Sequence, residues 1–176
     1  MPKFILKINS DDETLINNEN ICCYLADKNS NKKLFKQACS SDKLVLACGE
    51  NAVEECFELE MDGVLISHEV DDKYTKFIKP LQKRLNKKFK GLVCNANRHE
   101  AMIVSEAEPD FVAFQINPEM QTEAADILRW YGELFLLQSA LFYKPELNDE
   151  LIDLVDFVIL NTAEYKILVD KIKRLD

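Results

Sequence analysis

His68 and His99 are the only histidines in the chain, and each comes just after a short apolar run. An imidazole with an ordinary pKa of about 6.5 exchanges protons near neutrality, so either fits a general base. Each also fits a plain surface-loop histidine. Glu50 follows another apolar run, and Glu69, Asp71 and Asp72 come directly after His68. Carboxylates grouped in this way suit one magnesium ion completed by water, or simply a solvated acidic rim. Cys94 ends a run close to Arg98 and His99. A neighbouring cation lowers a thiol pKa and makes it nucleophilic; the plainer reading is a packing cysteine. Gln115 and Gln138 interrupt apolar stretches, where a side-chain amide needs a partner.

The apolar runs are what must position these groups. They are 4–8, 21–26, 44–48, 63–67, 91–96, 111–116, 134–140 and 157–160. Each is nearly continuous in Val, Ile, Leu, Phe and Cys rather than alternating with polar residues. Continuous hydrophobicity means that both faces are covered, as in a parallel strand under helices. Eight such runs predict a closed (β/α)8 barrel of the TIM type, an α/β fold. Helical stripes recur between them: 52–59, 74–85, 103–107, 124–130, 147–154 and 165–172. Asp149 and Thr162 are candidate N-caps. The Asn-rich connection from Asn9 to Asn20 leaves room for one short helix or none.

The chain has 176 residues, about 22 for each of eight units. Barrels usually need about 200 or more. The expectation is therefore a single barrel domain over 1–176 with shortened helices and loops, and an open doubly wound sheet is the fallback.

In such barrels the active site lies at the C-terminal ends of the strands. Ligand-binding candidates at those ends are Asp27 and Lys28 after the second run, Asn51 after the third and Asn95 after the fifth. Gln115 follows the sixth run, Gln138 and Ser139 belong to the seventh, and Asn161 follows the eighth. The stretches after the seventh and eighth runs contain no glycine. Backbone amides approach an anion closely where glycine allows it, so a phosphate grip of the usual kind is not expected.

Composition excludes several classes. The net charge of -9 repels nucleic-acid phosphates and anionic lipid, so neither is expected as a partner. No apolar run reaches the roughly 18 residues a membrane helix needs. The start of the chain turns polar too soon for a signal peptide, and a cytoplasmic protein is expected. The six cysteines make no Cys-x-x-Cys pair. Neither structural zinc nor disulfides are expected from them. Trp130, Tyr131 and the Leu141-Phe142-Tyr143 segment are expected in the core; if exposed, they would form a homodimer face.

Two segments carry a family resemblance. Ala52–Ile66 (AVEECFELEMDGVLI) resembles the third helix and fourth strand of the thiamine-phosphate synthase and TenI group. Val93–Gln115 (VCNANRHEAMIVSEAEPDFVAFQ) resembles its fifth strand, helix and sixth strand. Glu100-Ala101 stands at the family's distance before Pro109-Asp110-Phe111-Val112, and Asp62-Gly63-Val64 matches its Asp-Gly-Val. The resemblance covers about half the chain and implies a barrel. The family's synthases join a pyrimidine diphosphate to a thiazole phosphate with magnesium on the diphosphate.

The site positions depart from that pattern. The family's Asn-Asp after strand three falls on Glu50-Asn51, so an amide replaces its metal-binding Asp. Its second metal carboxylate would be met by Asp71 or Asp72. Its strand-four His falls on Leu65 and its strand-five Ser on Cys94. In its phosphate segment Thr122 matches, but the Lys becomes Glu123. Its strand-seven glycine pair falls on Gln138-Ser139. The resemblance thus implies a barrel that has lost its grip on diphosphate, magnesium and thiazole phosphate. The leading expectation is a silent member with a ligand-binding or regulatory role. The alternatives are a diverged enzyme acting on a small uncharged or cationic ligand, and an authentic synthase.

Overall fold

The computed structural model describes residues 2–173. Its strands are β1 (Lys3–Lys7), β2 (Ile21–Ala26), β3 (Leu44–Cys48), β4 (Gly63–Ile66), β5 (Phe89–Asn95), β6 (Phe111–Gln115), β7 (Gln138–Phe142) and β8 (Phe157–Asn161). All neighbours pair in parallel, and β1 pairs with β8 from Lys3↔Phe157 to Lys7↔Asn161, which closes the barrel. The helices are α1 (Lys32–Cys39), α2 (Ala52–Glu58), α3 (Tyr74–Leu85), α4 (Arg98–Ser105), α5 (Gln121–Leu134) and α6 (Thr162–Lys173).

The strands are apolar throughout because each serves two cores. Side chains two apart share a face. Ile5, Leu25, Leu46, Leu65, Val93 and Ile159 fill the lumen. Their neighbours Leu6, Tyr24, Val45, Val64, Cys94 and Val158 pack outward under the helices. The lumen mixes large and small side chains. Phe111 lies across Gly91, where a Cβ would fall 2.3 Å from the ring's Cζ. Ala113 and Ala140 are also fully buried there.

Two units lack a standard helix, and this is how eight strands fit a short chain. The segment joining β1 to β2 forms no helix. Leu15 and Ile16 cover the outer face instead, and the Tyr24 hydroxyl donates to the Ile16 carbonyl at 3.1 Å. Between β7 and β8 there is only a 3-10 stretch, Asp149–Leu154, in place of the α-helix expected over 147–154.

Other expectations shift: α4 runs Arg98–Ser105 and not 103–107, and β5 begins at Phe89 and not at 91. The seventh strand begins at Gln138, not Leu134. Leu134 ends α5, Phe135 stacks on Tyr131 at 4.6 Å, and Leu136 is fully exposed in the connection. The connection between β2 and β3 adds a helix, α1, whose buried residues are Leu34 and Ala38. The caps move back one residue, to Asn148 for the 3-10 stretch and Asn161 for α6. Asn161 and Glu164 bond each other's backbone N–H at 2.8 and 2.9 Å, a reciprocal capping box. Among the described residues no helix is long and apolar enough to cross a membrane.

Candidate functional site at the barrel mouth

Period-two alternation dictates what lies at the end of the lumen. Stepping two residues beyond the lumen residues Ile5, Val93, Ala113 and Ile159 gives Lys7, Asn95, Gln115 and Asn161. The same step beyond Leu46 and Leu65 gives Cys48 and Ser67. All six line one cavity of about 720 Å³ at the C-terminal end of the barrel. Beneath this polar ring Leu25, Leu65, Val93 and Ile159 form an apolar floor, and Phe142 walls one side. Phe114 does not plug the mouth; it faces outward against Tyr131, with ring centroids 5.0 Å apart.

Backbone capping orients several of the amides. Asn161 Oδ1 accepts from the Glu164 N–H, which leaves its Nδ2 as an uncommitted donor. Asn117, also on the cavity lining, accepts from the Glu119 N–H at 3.1 Å and is fixed in the same sense. Asn95 is turned the other way. Its Nδ2 donates to Glu100 Oε1 at 3.1 Å, so its oxygen remains as an acceptor. Among the described residues, the one carboxylate on the cavity lining, Glu164, accepts from the Asn161 N–H.

Two cations border the cavity. Lys7 forms no ion pair among the described residues. Asp27 shares an adjoining depression with Lys7, but its Oδ1 accepts from the Asn29 N–H at 2.8 Å and no salt bridge joins the two. Lys144 donates to the Ile116 carbonyl at 3.4 Å. Burial pushes the Cys48 thiol up to about 11, and the Lys7 ammonium only partly offsets that. Cys48 is therefore a neutral thiol at neutral pH.

Of the residues singled out in the sequence, Asn95, Gln115 and Asn161 meet in this cavity. The others do not join them. His68 is exposed and stacks on Phe77 at 3.6 Å, beside its own helix α3. His99 is exposed on the first turn of α4, and Thr122 is exposed on α5. Cys94 faces the helices, and burial raises its thiol pKa, with Glu100 adding to the rise. That reverses the activation expected from Arg98, whose guanidinium instead lies 5.2 Å from the Trp130 ring centroid.

Gln138 and Ser139 sit at the opposite end of the barrel, because β7 starts with them. Ser139 N–H donates to Asp156 Oδ2 at 2.8 Å, and its hydroxyl to the same oxygen at 3.3 Å. Lys28 and Asn51 line a separate groove between α1 and α2, which Asp27 also borders. The Lys28 N–H there donates to Glu55 Oε2 at 2.9 Å.

The expected magnesium ligands do not fit a metal. Glu50, Asp71 and Asp72 are all exposed. Asp71 Oδ1 accepts from the Lys73 N–H at 2.8 Å. Among the described residues no three His, Cys, Asp or Glu side chains converge on a common point. The aromatic segment lies in the core, as expected. Tyr131, Leu141 and Tyr143 are buried, and Trp130 is partly covered.

Lys7, Cys48, Ser67, Lys144 and Glu164 were not singled out in the sequence. Lys7 had a signal: it stands two residues after Ile5 in an apolar strand, at the strand's C-terminal end. No family model and no curated protein matches the chain.

Proposed function

We propose that this barrel binds a small organic molecule at its C-terminal mouth and has lost the synthase chemistry of the family it resembles. The observation that carries this reading is the polar ring of Lys7, Asn95, Gln115 and Asn161 above an apolar floor, in a cavity of about 720 Å³. A few convergent polar groups in a mostly apolar concavity are the usual make-up of a small-molecule site. Loss of the synthase reaction is supported by the scattered carboxylates and by the segments that follow β7 and β8 at the mouth, which contain no glycine.

A diverged enzyme at the same mouth is the second reading, favoured by Lys7 and Lys144, since an amine can act as a nucleophile or proton carrier. That reading does not use His68, His99 or Cys94, which lie away from the mouth. The two cations also favour an anionic ligand over the uncharged or cationic one expected from the acidic surface.

The test is a thermal-shift titration with thiamine phosphate, pyrophosphate and magnesium, singly and combined. A ligand that binds only the native state raises the midpoint by mass action. No saturable rise is expected at millimolar ligand. A saturable rise in the combined titration would restore the synthase.

A further inference from the structure

We infer that the ligand of the mouth carries a carboxylate and that Lys7 is its counter-ion; this rests on the small-molecule reading of the cavity. Lys7 projects from the end of β1 into the ring and has no ion-pair partner among the described residues. A lysine stem packs along apolar surface while its ammonium stays at the polar edge, and the edge here meets the cavity. The lining's one carboxylate, Glu164, already accepts from the Asn161 N–H at 2.8 Å. That same capping box turns Asn161 so that its Nδ2 is a free donor. Asn117 is held likewise by the Glu119 N–H, and Lys144 adds a second positive charge.

The lining of the mouth therefore sets two cations, Lys7 and Lys144, against one carboxylate, Glu164. That balance suits an anion. The choice between anions follows from the backbone. A phosphate dianion is usually held by several converging backbone N–H groups, commonly from glycine-rich turns. The segments after β7 and β8 read Tyr143-Lys-Pro-Glu and Thr162-Ala-Glu, without glycine. A single lysine and side-chain amides match the smaller charge and two oxygens of a carboxylate. The apolar floor beneath them takes an apolar body on the same molecule.

The experiment uses the full chain and three probes with one common ring: benzoate, benzamide and phenyl phosphate. Binding is read by calorimetry and by ligand-observed NMR, on the natural protein and on Lys7→Met. Lys7 is exposed at a strand end, so removing its charge leaves the fold intact, and a circular dichroism melt checks this. The expected result is that benzoate binds at least tenfold more tightly than benzamide, and that Lys7→Met removes the difference. Added salt weakens benzoate binding and leaves benzamide unchanged. Benzamide binding as well as benzoate, or benzoate unaffected by Lys7→Met, overturns the carboxylate while the small-molecule reading stands. Preference for phenyl phosphate also overturns it, in favour of a phosphate. If none of the three binds and a wider neutral fragment set is also silent, the small-molecule reading falls with it.

Discussion

Replacing Gly63 with alanine should damage the barrel more than any other single methyl addition. A Cβ at Gly63 would lie 2.2 Å from the Phe89 carbonyl oxygen, 2.6 Å from its Cβ and 2.8 Å from its carbonyl carbon. Two of these three atoms are backbone, in the strand residue paired with Gly63 itself. No rotamer change relieves the overlap, so β4 and β5 must separate. Overpacking a core costs about 1–3 kcal/mol when side chains can yield; here the upper end, about 3 kcal/mol, is expected. For a domain of this size each kcal/mol moves the melting temperature by about 2–4 °C. A loss of about 6–12 °C should follow in a far-UV circular dichroism melt. Gly132→Ala is the control, because nothing lies within 4 Å of its new methyl and the site is helical. It should gain about 0.5–1 kcal/mol. If Gly63→Ala melts within about 2 °C of the natural protein, the close approach of β4 and β5 is wrong.

Two further outcomes follow from the titrating groups. In a pulse of alkylating agent at pH 8, exposed Cys39 should react first, while Cys94 and Cys23 wait for unfolding. Burial raises both buried thiols' pKa values, so little thiolate is present, and peptide mass spectrometry orders the sites. Rapid labelling of Cys94 would contradict its outward, covered placement. For Glu100, burial raises the carboxyl pKa, but hydrogen bonds from Asn95 and Asn97 outweigh it and hold the group below 4.5. Its contribution to stability is therefore fully present above pH 4.5 and lost as pH falls through the lower folded value. The stability gap between the natural protein and Glu100→Gln should be constant near neutrality and shrink in acid; a gap that widens in acid contradicts the assignment.

How much of this was legible before the structure depends on what each residue does locally. The boundaries 21–26 and 44–48 could be read to the residue because each is a compact apolar block, and 74–85 because Phe77, Ile78, Leu81 and Leu85 form a stripe at helical spacing. The seventh strand could not. Leu134 to Leu137 is apolar without being a strand, and a continuous apolar run cannot be told from a helix end by periodicity. That four-residue shift alone moved Gln138 and Ser139 from the mouth to the opposite end. α1 was missed although Leu34 and Ala38 share one buried face at helical spacing. In the site, Asn95, Gln115 and Asn161 were legible as the first polar residues ending apolar strands. Lys7 left only its two-residue spacing from Ile5 as a signal, which a solvated charge at a strand end would share. Its role needs the closed barrel, which turns the inner face of every strand toward one axis.

The most direct measurement is ligand-observed NMR of a fragment set on the natural protein and on Gln115→Trp, which fills the mouth with an indole. Gln115 is exposed at the end of β6, so the substitution should leave the melt within about 2 °C. The expected result is fragments that bind the natural protein and lose their signal on Gln115→Trp. Fragments that bind both proteins equally, or no binders at all, would contradict a small-molecule site at the barrel mouth.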